Sequence, residues 1–131
     1  MRAHPVQRSH PAGPRAERGL SSSVQWALLA PLVLLTVLGL IQAGVVLHAR
    51  TTVRQAAMAA AESEAVLGSQ PGRSRAIVDR MVAPVGMEQV TTSITRSRGS
   101  VTVVVAGRAP LFFDIGMAGV SATAVMPMEV P

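Results

Sequence analysis

The chain has 131 residues, about one domain's worth, which excludes a large multi-domain enzyme. Hydrophobic residues make up 49% of it but aromatics only 2%, and all twelve basic residues are arginine against seven acids, for a net charge of +5. With no cysteine there is no disulfide framework, no thiolate nucleophile and no Cys-based zinc or iron–sulfur site, so an extracytoplasmic domain of this chain holds by packing alone.

Residues Met1 to Arg18 are rich in proline, arginine and small polar residues and have almost nothing to bury, so the ordering entropy has no offset. The expectation is a disordered basic leader over 1–19. From Val24 to Leu47 no charged residue occurs in 24 positions, where a membrane-spanning helix needs about 20. At about 1.5 Å per residue such a helix is roughly 36 Å long and crosses the hydrocarbon core with some tilt. A transmembrane segment is expected over 20–48, in contact with membrane lipid. A buried core helix is the other possibility, but a chain this small cannot surround so long an all-round apolar segment. A cleaved secretion signal also begins with a basic leader and an apolar run, but its apolar core is only about 7–15 residues. Four arginines precede the span and two, Arg50 and Arg54, closely follow it, which places the N-terminus in the cytoplasm of a single-pass inner-membrane protein and the C-terminus outside.

Helical signals continue past the span. Ala49 to Leu67 contains no glycine or proline, and Val53, Ala57, Ala61 and Ala65 recur every fourth residue, flanked by Ala56 and Ala60. This predicts a stem helix over 49–67, continuous with the span, about 44 residues and about 66 Å in all. Its stripe of small side chains permits close backbone approach, either to the protein's own sheet or to a partner helix. Arg50, Arg54, Gln55, Glu62 and Glu64 are assigned to its other, solvated faces.

Gly68-Ser-Gln-Pro-Gly breaks the helix and opens a small outer domain over 68–131. Ser74 is expected to cap a short helix over Arg75 to Val82, and Ala83-Pro84-Val85-Gly86 turns the chain. In Glu88 to Arg96, Val90, Thr92 and Ile94 alternate with Thr91, Ser93 and Thr95, a β pattern rich in branched side chains. Ser97-Arg98-Gly99 predicts a turn, and Val101, Val103 and Val105 a second strand whose apolar side covers the stem. Leu111-Phe112-Phe113 is expected to be the large aromatic anchor of this domain. A third strand is predicted from Val120 to Met126. The fold class is therefore α+β: a long transmembrane and stem helix, a short helix and a three-stranded antiparallel sheet, near the lower size limit for independent folding.

Chemistry is not encoded in any recognisable pattern. His4 and His10 fall in the leader and His48 at the membrane boundary, so no histidine pair has metal-ligand spacing, and no metal or cofactor is expected. The outer acids Glu62, Glu64, Asp79, Glu88, Asp114 and Glu129 are dispersed and read as solvated surface. There is no phosphate-binding glycine loop and no basic face interleaved with aromatics, so neither nucleotide nor nucleic-acid binding is expected. The chain reads as a non-catalytic protein.

The junction Glu17-Arg18-Gly19-Leu20-Ser21-Ser22-Ser23-Val24-Gln25-Trp26, with Pro31 a few residues on, joins a basic leader ending in Arg-Gly to small residues, then one polar residue and an aromatic inside the apolar run. This junction resembles that of the TadE-like pseudopilins of the tight-adherence pilus system, and the resemblance extends through the span and stem, with Gln42 and Arg50 flanking the span's end, to about Glu62. It implies a structural or accessory, minor pseudopilin whose partners are other pilins or pseudopilins, a membrane secretion platform and, where the leader is removed, a prepilin peptidase acting at Gly19, Leu20 and Ser21. In the family pattern a glutamate near the mature N-terminus pairs with a neighbouring subunit's terminal amine; here neutral Gln25 stands in that place and can hydrogen-bond but not neutralise a charge. The resemblance and the packing logic together make Gln25, Pro31, Gly39 and Ala43 the assembly and register residues, Gly39 and Ala43 forming a small-xxx-small pair. The alternatives are a secreted binding module behind a cleaved signal peptide and an uncleaved single-pass accessory factor.

Overall fold

The computed structural model describes residues 2–5, 14–66 and 70–128, with helical side chains described from Arg18 onward. Residues 1 and 6–13 of the expected leader fall outside these residues, as does the glycine of the predicted break at 68. The chain divides into two compact units, Met1–Gly39 and Leu40–Pro131, each described by itself. One helix, α1, runs Pro14–Ala65 and contributes to both. It begins upstream of Gly19, so the junction is itself helical, and it carries Pro31 in its interior.

In the first unit the apolar side chains of α1, including Leu20, Trp26, Leu28 and Leu34, are exposed. Two hydroxyls within this apolar stretch are satisfied by the helix itself. Ser23 Oγ donates to the Gly19 carbonyl at 3.0 Å and Thr36 Oγ1 to the Leu32 carbonyl at 2.8 Å, the local arrangement that removes a hydroxyl's need for water. Pro31 has no N–H, so the Ala27 carbonyl loses its helical donor, a defect that spanning helices tolerate more readily than the middle of a soluble helix.

The second unit is a two-layer α+β fold. After α1 come α2 (Arg73–Val82), a 3-10 turn (Ala83–Val85) and strands β1 (Glu88–Ser97), β2 (Ser100–Arg108) and β3 (Gly119–Pro127). The strands form an antiparallel sheet in the order β1-β2-β3. Their alternation sends Val101, Val103 and Val105 of β2 to one face, fully buried, together with Val120 and Ala124 of β3 and the half-buried Ile94 of β1. Against that face lies the small-residue stripe of α1: Ala49, Val53, Ala56, Ala57, Ala60 and Ala61 are all 0% exposed. The stripe therefore packs on the protein's own sheet. Valine is the largest fully buried side chain in the core, so a flat alanine face and a row of short branched side chains bring helix and sheet close together.

Three sequence expectations are corrected here. Ser74 does not cap α2: the cap position is Gly72, in the left-handed region at φ 81°, and Ser74 is the second residue of the helix with its side chain fully buried. Glu64 is not solvated surface but 6% exposed: its Oε1 accepts from Ser74 Oγ at 2.6 Å and its Oε2 pairs with Arg96. That carboxylate ties the last turn of α1 to the first turn of α2 and the end of β1. Phe112 and Phe113 do not anchor the core, being 72% and 55% exposed; the nearby apolar residue that packs on it is Leu111.

The first two strands meet in a tight turn at Arg98-Gly99, where Gly99 takes φ 77°, a conformation glycine adopts at little cost. Near the other end of this pair the register slips, two residues of β1, Gln89 and Val90, opposing Gly107. Gln89 sits at φ 51° to make this bulge, and a Cβ on Gly107 would come within 2.8 Å of the Met87 methyl and 3.2 Å of Val90 Cγ2.

Candidate functional site: the exposed helix and its junction

All seven residues singled out for processing and assembly lie on α1 with their side chains or Cα positions exposed: Gly19, Leu20, Ser21, Gln25, Pro31, Gly39 and Ala43. At Gly19 and Gly39 an added Cβ would meet nothing within 4 Å, so neither glycine is required by packing inside this chain. Within the first unit Gln25, Leu32 and Gly39 recur at intervals of seven, close to two helical turns, and so fall on one side of the helix. This side offers one amide, one leucine and one position without a side chain, a surface suited to a close crossing by a second helix.

The contrast with the stem is sharp. The same small-residue logic applies to Gly39 and Ala43 and to Ala57 and Ala61, but the latter two are sealed under the sheet and the former two are open. Among the described residues, one helix is long and apolar enough to cross a membrane, Arg18–Ala65, and very little of its most apolar window is buried in the protein.

Around α1 the second unit gives three polar residues surroundings that the sequence alone does not show. Gln42 Oε1 accepts a hydrogen bond from the Phe113 backbone N–H at 2.7 Å, fastening the β2–β3 loop to the helix. Arg50 and Arg54, with Met58, line one side of an open groove whose other side is the start of the edge strand β3, Gly119 to Thr123. The Glu64–Ser74–Arg96 link was missed because residues 64, 74 and 96 are joined by no periodicity; only the fold brings them together. No group of three His, Cys, Asp or Glu side chains converges among the described residues.

Residues 21–62 match the family model described as TadE-like protein. The matched stretch is the apolar helix and most of the stem, and it ends where the sequence resemblance ends, at Glu62. No curated protein and no solved structure matches the chain. The family assigned to the helical segment from its junction and span is thus the one its sequence matches.

Proposed function

We propose that this chain is a single-pass accessory pseudopilin, N-terminus in the cytoplasm and outer domain on the far side of the inner membrane, that works by helix packing in a pilus-assembly or related secretion machine. The observation that carries this reading is the coincidence of the TadE-like match over 21–62 with an apolar helix that leaves Gly39, Ala43 and a row of leucines uncovered. Its role is structural, and its partners are other pilins or pseudopilins and a membrane platform. The excess of arginines before the span supports the orientation. Neutral Gln25 in the place of the family's glutamate favours a minor subunit over the main repeating one, because an amide fixes register without the charge pairing that a filament core uses.

Processing after Gly19 or Leu20 is part of the same proposal, and peptide mapping of membrane-extracted protein tests it. A mature chain beginning at Leu20 or Ser21 is expected. An intact leader on most molecules, with a prepilin peptidase present, overturns the pilin reading in favour of an uncleaved membrane accessory factor. One observation favours that second reading: α1 is helical through Gly19, so a peptidase has to unwind this turn before cutting. Retention in the membrane after alkaline washing is expected under both and rejects the secreted module.

A further inference from the structure

We propose that the β2–β3 loop, through Phe112, Phe113, Ile115 and Met117, dips into the outer leaflet of the bilayer beside the helix and acts as a second membrane anchor that fixes the tilt of the outer domain. This rests on the reading of α1 as a membrane span. The four side chains are 72%, 55%, 76% and 53% exposed, an apolar cluster in a unit whose core has no residue larger than valine fully buried. A loop built to fold inward would have spent its two phenylalanines on that core.

The position of the loop says what covers it. Its Phe113 N–H is held by Gln42, and Gln42 lies inside the uncharged run, five residues before its end at Leu47 and eight before Arg50. At about 1.5 Å per residue those intervals are roughly 7 Å and 12 Å along the helix, which sets the loop at the depth of about 5–10 Å where amphipathic segments rest in an interface. Leu40, Ile41 and Leu47 on the same stretch of helix are also exposed, so loop and helix both present apolar side chains to their surroundings. A water-facing site would leave these side chains uncovered.

The polar groups of the loop are arranged to suit lipid. Its one charge, Asp114, is paired with Arg108 at the loop base and also accepts from the Gly116 N–H at 2.9 Å. The base is closed by Ala109 N–H donating to the Ala118 carbonyl at 2.7 Å. Just beyond the loop, beside Gly119, the exposed Arg50 and Arg54 line the groove at the level expected of lipid phosphates, where long arginine side chains reach headgroups.

The test uses the full chain, which has no native cysteine, in phosphatidylethanolamine–phosphatidylglycerol vesicles carrying a nitroxide-labelled lipid. Single variants Leu34→Cys, Ile115→Cys, Met117→Cys and Val125→Cys, all at exposed positions, are labelled with an environment-sensitive fluorophore. Val125 pairs with Thr102 towards the opposite end of the sheet, about 20 Å along β3 from Gly119, and serves as the water-side reference. Quenching at 115 and 117 is expected to be roughly twofold or more above that at 125, approaching that at 34, because only the first three sites reach acyl chains. If 115 and 117 read like 125 while 34 is quenched, the loop proposal fails and the span stands. Shielding of 115 and 117 that appears only when partner pilins are added reassigns the loop to a protein contact. An unquenched Leu34 site overturns the span reading and the loop proposal with it.

Discussion

Glu64 shows how much one carboxylate can organise in a core made of alanine and valine. It is nearly buried, and its two oxygens take the Ser74 hydroxyl and the Arg96 guanidinium, so removing it leaves Ser74, which is fully buried, without its partner. Glu64→Ala is therefore expected to destabilise the second unit by about 1–3 kcal/mol, the cost of an orphaned buried polar group. Arg96→Ala is expected to cost about as much, because, although the arginine side chain is 56% exposed, the carboxylate it leaves behind is 5% exposed and keeps only the Ser74 hydroxyl. Denaturant titration of the detergent-solubilised protein followed by circular dichroism measures both, and a negligible loss for Arg96→Ala would mean that solvent already screens the pair. Gln25 poses the opposite case, an amide exposed on an apolar helix. Gln25→Leu is expected to preserve membrane insertion, since it makes the span more apolar, and to weaken association with partner pilins by about 1 kcal/mol, read as reduced co-purification.

At the scale of elements, the strands were legible because alternation is a strong signal: Val101, Val103 and Val105 announced a buried face, and all three are fully buried. The sequence could not say what the alanine stripe touches, because a period near four marks a helix face without naming what lies opposite it. Its resolution in favour of the sheet has a mechanical consequence. Ala57 sits at zero exposure between backbone layers, so Ala57→Leu is expected to overpack the core and cost about 1–3 kcal/mol or more, whereas Ala43→Leu, on the exposed part of the same helix, is expected to leave the stability of the second unit unchanged. The bulge offers a second check. A Cβ on Gly107 meets the end of the flexible Met87 chain and a methyl of Val90, so alanine is expected to be tolerated with small adjustments and Gly107→Val to cost about 1–3 kcal/mol, both measured as a shift of the unfolding midpoint. Ser74 and the two phenylalanines were misread for one reason: local rules for caps and aromatic anchors compete with tertiary partners, here Glu64 and the exposed β2–β3 loop, that no local window contains.

For the molecule as a whole, the candidate site was legible because a membrane span is written in composition: a long uncharged run needs no tertiary context to be recognised. Which small residues on it stay uncovered was not legible, since Gly39, Ala43, Ala57 and Ala61 share the same chemistry, and burial alone separates them. That separation gives a decisive experiment. Gly39 has nothing within 4 Å of where a Cβ would stand and Ala43 is exposed, while Ala57 and Ala61 are sealed beneath the sheet. Gly39→Leu is expected to leave the protein inserted, since leucine suits lipid and raises helix propensity, but to impair assembly because a bulky side chain prevents a tight crossing. Single cysteines at 39 and 43 are expected to form crosslinks to partner helices in intact membranes, and cysteines at 57 and 61 to form none, their thiols being covered by β2 and β3. Crosslinks at 57 or 61 in folded protein would mean that stem and sheet separate during assembly. Silence at 39 and 43, with Gly39→Leu assembling normally, would mean that this face meets only lipid and that contacts elsewhere on the helix carry the assembly.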